Sequence, residues 1–157
     1  MTLVDERELR QAEEASGRRA RFNQGVIDSL PFNLCVLGER GVIVAVNRAW
    51  REFAKANGGR PGAAGPGTNY LAVCAAAEGE DKEFAGAASQ GIRDVISGKI
   101  EVFVLEYPCD GPGCSRWFEL RASRFVDEGW THAVVTHTDV TSRKRADEKI
   151  RELSTVL

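Results

Sequence analysis

The chain has 157 residues, of which 43% are hydrophobic and 28% are charged, and its formal net charge is −2. This composition and length indicate one folded globular domain and exclude a disordered or collagen-like chain, and the balance of charge argues against a nucleic-acid-binding protein. The longest apolar run, residues 42–46, is far shorter than the roughly 18 residues of a membrane span. Residues 1–10 are charged where a secretory signal would be apolar, so we expect a cytoplasmic protein without membrane or nucleic-acid partners.

The first predicted element is an amphipathic N-terminal helix over residues 1–25. Its acidic residues come first and its basic residues follow, which suits the helix dipole, and Thr2 is the candidate N-cap. Leu9 and Ala12 belong to an apolar stripe that is too thin to form a core. We therefore expect this helix to need a partner surface.

A change in the spacing of the apolar residues then predicts a β-hairpin. Residues 33–37 and 42–47 are apolar and β-branched, and the turn-forming residues 38–41 separate them. Asn47 can cap the helix that follows, which the glycines at positions 58 and 59 should end. A glycine- and proline-rich loop continues to residue 67, and residues 69–77 predict one or two helical turns.

The second half of the chain predicts a helix, three strands and a last helix. The helix spans residues 81–97 and should stop at Gly98, and the strands are residues 100–107, 115–125 and 130–138. Turn-rich residues at 108–113 and 127–129 separate the strands. The whole order fits an α+β fold, in which a five-stranded antiparallel sheet has helices on one face and a further helix at each end of the chain.

The last helix begins at Thr141 and shows a short heptad pattern. Its apolar residues Ala146, Ile150, Leu153 and Leu157 step by four, three and four positions, as in a coiled coil. Two heptads are too few to define an oligomer by themselves.

The four cysteines, at positions 35, 74, 109 and 114, do not predict a disulfide framework or a zinc site. A chain of this size folds without disulfides, and a reducing cytoplasm keeps thiols free. Cys109 and Cys114 have four residues between them, which is wider than a usual zinc-binding pair, and the chain has only two histidines. A redox-sensing disulfide between Cys109 and Cys114 is kept as a hypothesis.

Three stretches resemble a PAS domain, the sensor module common in bacterial signalling proteins. They are residues 29–50, from Ser-Leu-Pro through the hairpin; residues 67–71, Gly-Thr-Asn-Tyr-Leu; and residues 139–144, Asp-Val-Thr-Ser-Arg-Lys. The last stretch differs from the family's closing Asp-Ile-Thr-Glu-Arg-Lys pattern only at its second and fourth positions. The resemblance covers about residues 26–145. It implies a PAS sensory domain over residues 26–140 and a signalling linker helix over residues 141–157.

The closing motif predicts a polar joint between the last strand and the last helix. The Thr141 hydroxyl can cap the helix, and the Asp139 carboxylate lies at the helix start, where negative charge contributes roughly 0.3–1 kcal/mol. The resemblance implies that Asp139 pairs with Arg143 or Lys144, and that these residues transmit a signal to the helix. The alternative, that Asp139 and Thr141 simply cap the helix, is compatible with this role.

The resemblance also bears on cofactors, although the cofactor itself stays unknown. In light-oxygen-voltage domains, PAS relatives that hold a flavin, a reactive cysteine occupies the position that Tyr70 has here. The arginine and glutamine of that motif are missing too, so we expect no flavin–thiol chemistry. Haem-binding PAS domains usually use a histidine on the helix before the third strand, and residues 81–97 contain none. Haem is therefore not expected. The one remaining candidate for a haem ligand is His137.

Strand alternation and the same comparison predict the residues that face a pocket. On the fourth strand, Phe118, Leu120 and Ala122 share the apolar face. The comparison with light-oxygen-voltage domains adds Glu106, Val135 and His137, with Tyr70 and Cys74 as further lining candidates. Glu106 and His137 would then satisfy each other, bind a small polar ligand, or provide a proton switch at His137.

Together these patterns predict a sensory or regulatory PAS module that binds a small molecule or mediates dimerisation. It would pass its signal through the last helix to an effector, such as a histidine kinase or a cyclic-dinucleotide enzyme. We expect a homodimer in which Leu9 and Ala12 cover the outward sheet face around Trp117, and in which Ile150 and Leu153 continue a coiled coil. The alternative is that the N-terminal helix covers that face within one chain.

Two other functions compete with this prediction. The first is a ligand-free interaction module whose core is filled by its own side chains. The second is a small enzyme that uses Glu106 and His137 as acid and base. No nucleophile with an orienting partner and no oxyanion site is recognisable, so we predict that the chain is not an enzyme.

Overall fold

The structure is a computed structural model that describes residues 5–56, 64–79, 82–111 and 114–156, with only the backbone described at 110, 111 and 114. The elements follow in the order α1 (Glu6–Asp28), β1 (Asn33–Leu37), β2 (Ile43–Val46), α2 (Arg48–Ala56), α3 (Tyr70–Ala75), α4 (Lys82–Ile96), β3 (Val102–Gly111), β4 (Cys114–Asp127), β5 (Trp130–Asp139) and α5 (Thr141–Val156). Thr2, the glycines at 58 and 59, and Leu157 lie outside the described residues.

The strands form one antiparallel sheet in the order β2-β1-β5-β4-β3. The β1–β2 hairpin and the β3–β4–β5 meander meet where β5 pairs with β1. We call the face that carries Leu105, Tyr107, Phe118, Leu120 and His137 the inner face, and the face that carries Val104, Glu106, Trp117, Glu119 and Arg121 the outer face. Helix α4 packs against β3, β4 and β5, and the buried core lies between it and the inner face. The predicted α+β fold is confirmed.

Asn47 joins three elements at one buried point. Its Oδ1 accepts hydrogen bonds from the backbone N–H groups of Leu34 and Trp50, each about 3 Å away. Its Nδ2 donates to the carbonyl oxygens of Ile27 and Phe32. The bond to Trp50 confirms the predicted cap of α2. The other three bonds connect the same side chain to β1 and to the end of α1, so Asn47 positions α1 on the domain.

Two glycines shape α4. Gly98 has a φ of +81°, which an L side chain rarely adopts, and it follows the helix as predicted. Gly91 lies within the helix and is buried against β3, where a Cβ atom would collide with the Phe103 ring. The missing side chain at position 91 therefore lets α4 approach the sheet closely.

The hairpin of β3 and β4 is longer than predicted. Residues 108–111, which the composition assigned to a turn, continue β3, with Pro108 opposite Trp117 and Cys109 opposite Arg116. Proline is tolerated here because β3 is an edge strand, so an amide donor is not required on its open side. Cys114 lies opposite Gly111, two positions from the partner of Cys109. Its side chain lies outside the described part of the chain, so the disulfide hypothesis stays a prediction.

The two end helices lie largely outside the core. Helix α1 begins after an N-cap at Asp5 and continues to Asp28, three residues beyond the predicted boundary. None of its residues is buried, and the same holds for the described part of α5. Among the described residues, no helix combines the length and the apolar composition that crossing a bilayer requires.

Candidate functional site

A cavity of about 90 Å³ lies between the inner face of the sheet and helices α2, α3 and α4. Its wall is mainly aromatic and aliphatic. Of the residues predicted to face a pocket, five form part of this wall: Tyr70, Cys74, Phe118, Leu120 and His137. Ala122 and Val135 share the inner face but are fully buried in the core beyond the cavity.

The polar centre of the cavity wall is a triad of Tyr70, His137 and Tyr107. The Nε2 atom of His137 lies 3.1 Å from the Tyr70 hydroxyl, and its Nδ1 atom lies 2.6 Å from the Tyr107 hydroxyl. Burial lowers the pKa of His137 to about 4, so the imidazole is neutral at pH 7. A neutral imidazole has one N–H and one bare nitrogen, so it donates to one tyrosine and accepts from the other. Burial also raises the pKa of the Tyr70 hydroxyl, which stays protonated.

Glu106 was predicted to face the pocket, and this prediction is wrong. In the β3–β4 pairing Glu106 lies opposite Glu119 on the outer face, whereas Tyr107 lies opposite Phe118 on the inner face. The comparison with light-oxygen-voltage domains had placed β3 one residue out of register, which turns every side chain to the other face. Glu106 and His137 therefore neither satisfy each other nor share a cavity as acid and base.

Tyr107 was missed for the same reason, although the sequence contains a signal for it. Phe103, Leu105 and Tyr107 alternate along β3 and pack against the core. The alternate set on that strand includes the carboxylate of Glu106. Assigning the apolar and aromatic set to the inner face would have placed Tyr107 beside His137.

On the outer face, Glu106 connects β3 to the first turns of α5. One of its carboxylate oxygens lies 2.5 Å from Arg143, and the other lies 2.8 Å from the Lys144 ammonium. The hydrogen bonds from Lys144 and Arg143 hold the pKa of Glu106 below its usual value. Lys144 also lies 4.5 Å from the centre of the Trp117 ring. These contacts attach the start of α5 to the outer face.

Asp139 and Thr141 form a second connection between the sheet and α5. The Asp139 carboxylate accepts hydrogen bonds from the backbone N–H and the hydroxyl of Thr141, at 2.9 and 2.6 Å. The side-chain bond from Thr141 is the largest influence that lowers the pKa of Asp139. The Thr141 oxygen in turn accepts a bond of 2.9 Å from the Trp117 backbone N–H on β4.

Two details of the predicted joint are therefore corrected. Arg143 and Lys144 form their closest ion pairs with Glu106, and in the described part of the chain neither pairs with Asp139. The Thr141 hydroxyl binds the neighbouring strand and Asp139, whereas we had expected it to cap its own helix. The reason is that β4 runs beside the start of α5 and presents an amide that no sequence pattern reveals.

The residues predicted to form a dimer interface are separated on the surface of this one chain. Leu9 is 53% exposed on α1, Ala12 is exposed near it, and Ile150 and Leu153 are about 60% exposed on α5. Trp117 lies on the outer face beneath Lys144. Because Leu9 and Ala12 are exposed, α1 does not use them to cover the sheet within this chain.

The cavity and its surroundings limit what cofactor could bind. Within the ranges that the structure describes, no three His, Cys, Asp or Glu side chains converge on a metal site. The cavity volume of about 90 Å³ is below the roughly 300 Å³ or more of pockets for drug-sized ligands. As it stands, the cavity is smaller than a flavin or a haem requires.

Comparisons with known proteins agree with this architecture. A family model described as the PAS fold matches residues 27–145. An uncharacterised 104.1 kDa protein from the hypE 3′ region of Rhodobacter capsulatus is 42% identical over 140 residues, which is 87% of this chain and 14% of that protein. The chain thus spans about one seventh of this relative.

Solved structures show the same fold at low sequence identity. The PAS domain of Bordetella pertussis BvgS aligns with a TM-score of 0.52 at 15% identity, over 89% of this chain and 99% of that domain. The phage VqmA–DPO complex aligns with a TM-score of 0.59 at 17% identity, over 90% of this chain and 62% of that chain. Because the family model matches most of the length of this chain, the chain belongs to the PAS family, whose members are typically modules of sensory signal transduction.

Proposed function

We propose that this PAS domain senses a small molecule, which it binds in the core cavity, and that α5 carries the signal to an effector. The observation that carries the proposal is the Tyr70–His137–Tyr107 triad in the wall of a mainly apolar cavity. A core that served only packing would not need hydrogen-bonding groups there, because buried polar groups weaken a fold unless each finds a partner. The three side chains of the triad are hydrogen-bond partners of one another, and they also offer hydrogen bonds by which a ligand can be recognised.

Two paths lead from the cavity along the backbone of a strand to residues that contact α5. Along β5, His137 is followed two residues later by Asp139, which binds Thr141 at the start of the helix. Along β3, Tyr107 is preceded by Glu106, which binds Arg143 and Lys144. A ligand that shifts the triad would therefore change the position of both strands relative to the helix. We propose Asp139, Thr141, Arg143, Lys144 and Glu106 as the residues that transmit this change.

Homodimerisation is a second proposed function, and it is supported by the exposed apolar residues of the end helices. Leu9, Phe22 and Val26 on α1 are each about half exposed or more, as are Ile150 and Leu153 on α5. A helix of 23 residues with none buried gains little stability from its own chain, since tertiary packing supplies most helical stability in proteins. Association of α1 and of α5 with a second copy would bury these side chains.

The effector is proposed to lie in the same polypeptide or in a separate partner. The Rhodobacter relative supports the first arrangement, because the matched region is a small part of a 104.1 kDa protein. We do not propose catalysis by this domain, since Glu106 and His137 lie on opposite faces of the sheet.

Native mass spectrometry of freshly purified protein tests the proposal. We expect a dimer that retains an additional small mass, and we expect His137→Phe to lose that mass. Thr136→Val is the matched control, because Thr136 is the neighbouring residue on β5 and its register places it on the outer face. A protein without additional mass, whose melting temperature no small molecule raises, would contradict ligand sensing and favour the filled-core interaction module.

A further inference from the structure

We propose that the ligand of the core cavity is an uncharged molecule of about one aromatic ring with a single hydrogen-bonding group that joins the Tyr70–His137–Tyr107 triad. This inference rests on the proposed function and adds the chemical class of the ligand. It follows from three properties of the cavity: the absence of charge in its described wall, its size and aromatic surface, and the hydrogen-bonding capacity of the triad.

Among the described residues that line the cavity, none is an aspartate, glutamate, lysine or arginine. The imidazole of His137 is neutral at pH 7. The carboxylate of Glu106 and the cations of Arg143 and Lys144 compensate one another on the other face of the sheet. An ionic ligand would therefore lose its hydration without gaining a counter-charge, which strongly disfavours binding.

Arg116 is the charged group to consider next to this cavity. Its guanidinium carbon lies 5.8 Å from the centre of the Phe118 ring, and its Nε atom is buried without a hydrogen-bond partner in the described part of the protein. It does not form part of the cavity wall, and its charge acts on the Asp139 carboxylate. Its register places it opposite Cys109 on the inner face, beside the wall and near the start of α5, so the variant Arg116→Gln tests whether its charge reaches a ligand.

The size and surface of the cavity indicate a small planar ligand. A dry cavity of about 150 Å³ in another protein accommodates benzene, so one ring is the upper limit for a cavity of about 90 Å³, and a ring enters only when the side chains of the wall move apart. The rings of Trp50, Phe53, Phe84 and Phe118 contribute to its wall. Aromatic side chains favour stacked or edge-to-face contact with another ring, which a planar ligand provides.

The triad can serve either a donor or an acceptor on the ligand. Each tyrosine hydroxyl has one hydrogen and two lone pairs, and the neutral imidazole can carry its proton on either nitrogen. A change of tautomer reverses the direction of the two hydrogen bonds at 3.1 and 2.6 Å. A ligand hydroxyl, carbonyl or ring nitrogen can thus be accommodated without any change in net charge.

Two matched pairs of probes test the inference by NMR titration of the intact chain at pH 7. Phenol and toluene have nearly the same shape and differ in the hydrogen-bonding group, whereas benzamide and benzoate differ in charge. We expect phenol to bind about tenfold more tightly than toluene, which corresponds to one net hydrogen bond, and benzamide to bind at least about tenfold more tightly than benzoate. The shifted amide signals should be those of the residues that line the cavity.

Tyr107→Phe should reduce the preference for phenol over toluene severalfold while toluene still binds, and Tyr70→Phe serves if the first variant does not fold. Tighter binding of benzoate than of benzamide, lost in Arg116→Gln, would overturn the inference and identify an anion site. Failure of all four probes to shift cavity signals at millimolar concentration would overturn it as well. A charged molecule retained in native mass spectrometry would contradict the ligand class but leave ligand sensing intact, whereas absence of any retained mass would count against the proposed function itself.

Discussion

Glu106 and Tyr107 are consecutive residues on β3, and their side chains make contacts on opposite sides of the sheet. The Tyr107 hydroxyl lies 2.6 Å from His137 in the cavity, and the Glu106 carboxylate lies 2.8 Å from Lys144 on α5. Because one short stretch of backbone carries both contacts, a shift of β3 that follows a change in the cavity also moves the attachment of α5. β3 is an edge strand, with a paired neighbour only on one side, which leaves it more freedom to shift than β5 has.

Glu106→Gln should weaken the attachment of α5 to the sheet. The substitution removes the negative charge that Arg143 and Lys144 share, so amide hydrogen exchange in the first turns of α5 should become faster. The overall free energy of unfolding should change little, because the ion pairs are partly exposed to solvent. Glu101→Gln is the control, since this exposed glutamate precedes the same strand. Equal exchange rates in both variants would show that Glu106 does not hold α5.

Thr141→Val should destabilise the joint by about 1 kcal/mol, whereas Thr141→Ser should restore most of the loss. Valine has nearly the same shape but cannot accept the Trp117 N–H or donate to Asp139, and serine can do both. Urea denaturation of the three proteins measures the difference. If valine and serine were equally stable, the hydroxyl contacts would have no energetic role.

Acidification between pH 6.5 and 4 should destabilise the protein through His137. The pKa of this histidine is about 4 in the folded state and about 6.5 when unfolded. In this window the unfolded chain binds a proton that the folded chain excludes, so the stability falls as the pH falls, by up to about 3 kcal/mol for this group.

The variant His137→Gln isolates this contribution. The carboxylates of Glu106 and Asp139, whose pKa values are also lowered, reduce stability on acidification in both proteins. The difference in unfolding free energy between wild type and His137→Gln should therefore decrease from pH 6.5 to pH 4. A difference that stays constant over this range would mean that folding does not lower the pKa of His137.

Gly91→Ala and Gly86→Ala should change stability in opposite directions, although both lie in α4. A Cβ at position 91 meets the Phe103 ring, and such overpacking costs about 1–3 kcal/mol. A Cβ at position 86 meets nothing within 4 Å, so alanine there should add about 0.5–1 kcal/mol of helix stability. Thermal unfolding of both variants measures the two effects. A stable Gly91→Ala variant would show that α4 does not pack tightly against β3.

Residues of the cavity wall could be predicted from the sequence only on a strand where one of the two alternating sets is clearly apolar. On β4, alternation separates apolar Phe118 and Leu120 from the charged Glu119 and Arg121, and the structure places both apolar residues in the wall. On β3, the set of Phe103, Leu105 and Tyr107 alternates with a set that contains two valines as well as Glu106, so alternation indicates the inner face less strongly there than on β4. The choice was settled by pairing, which places Tyr107 opposite Phe118.

The sequence by itself determined the order of the elements, the PAS family and the position of the joint between sheet and helix. These features depend on local patterns: alternation in strands, the cap at Asn47, and the closing motif from Asp139 to Lys144. Only the tertiary structure decided that Arg143 and Lys144 pair with Glu106, that Thr141 binds the Trp117 amide, and that two tyrosines flank His137. Those contacts join residues that are 24 to 67 positions apart. Strand register, which no local pattern specifies to a single residue, brings such residues together.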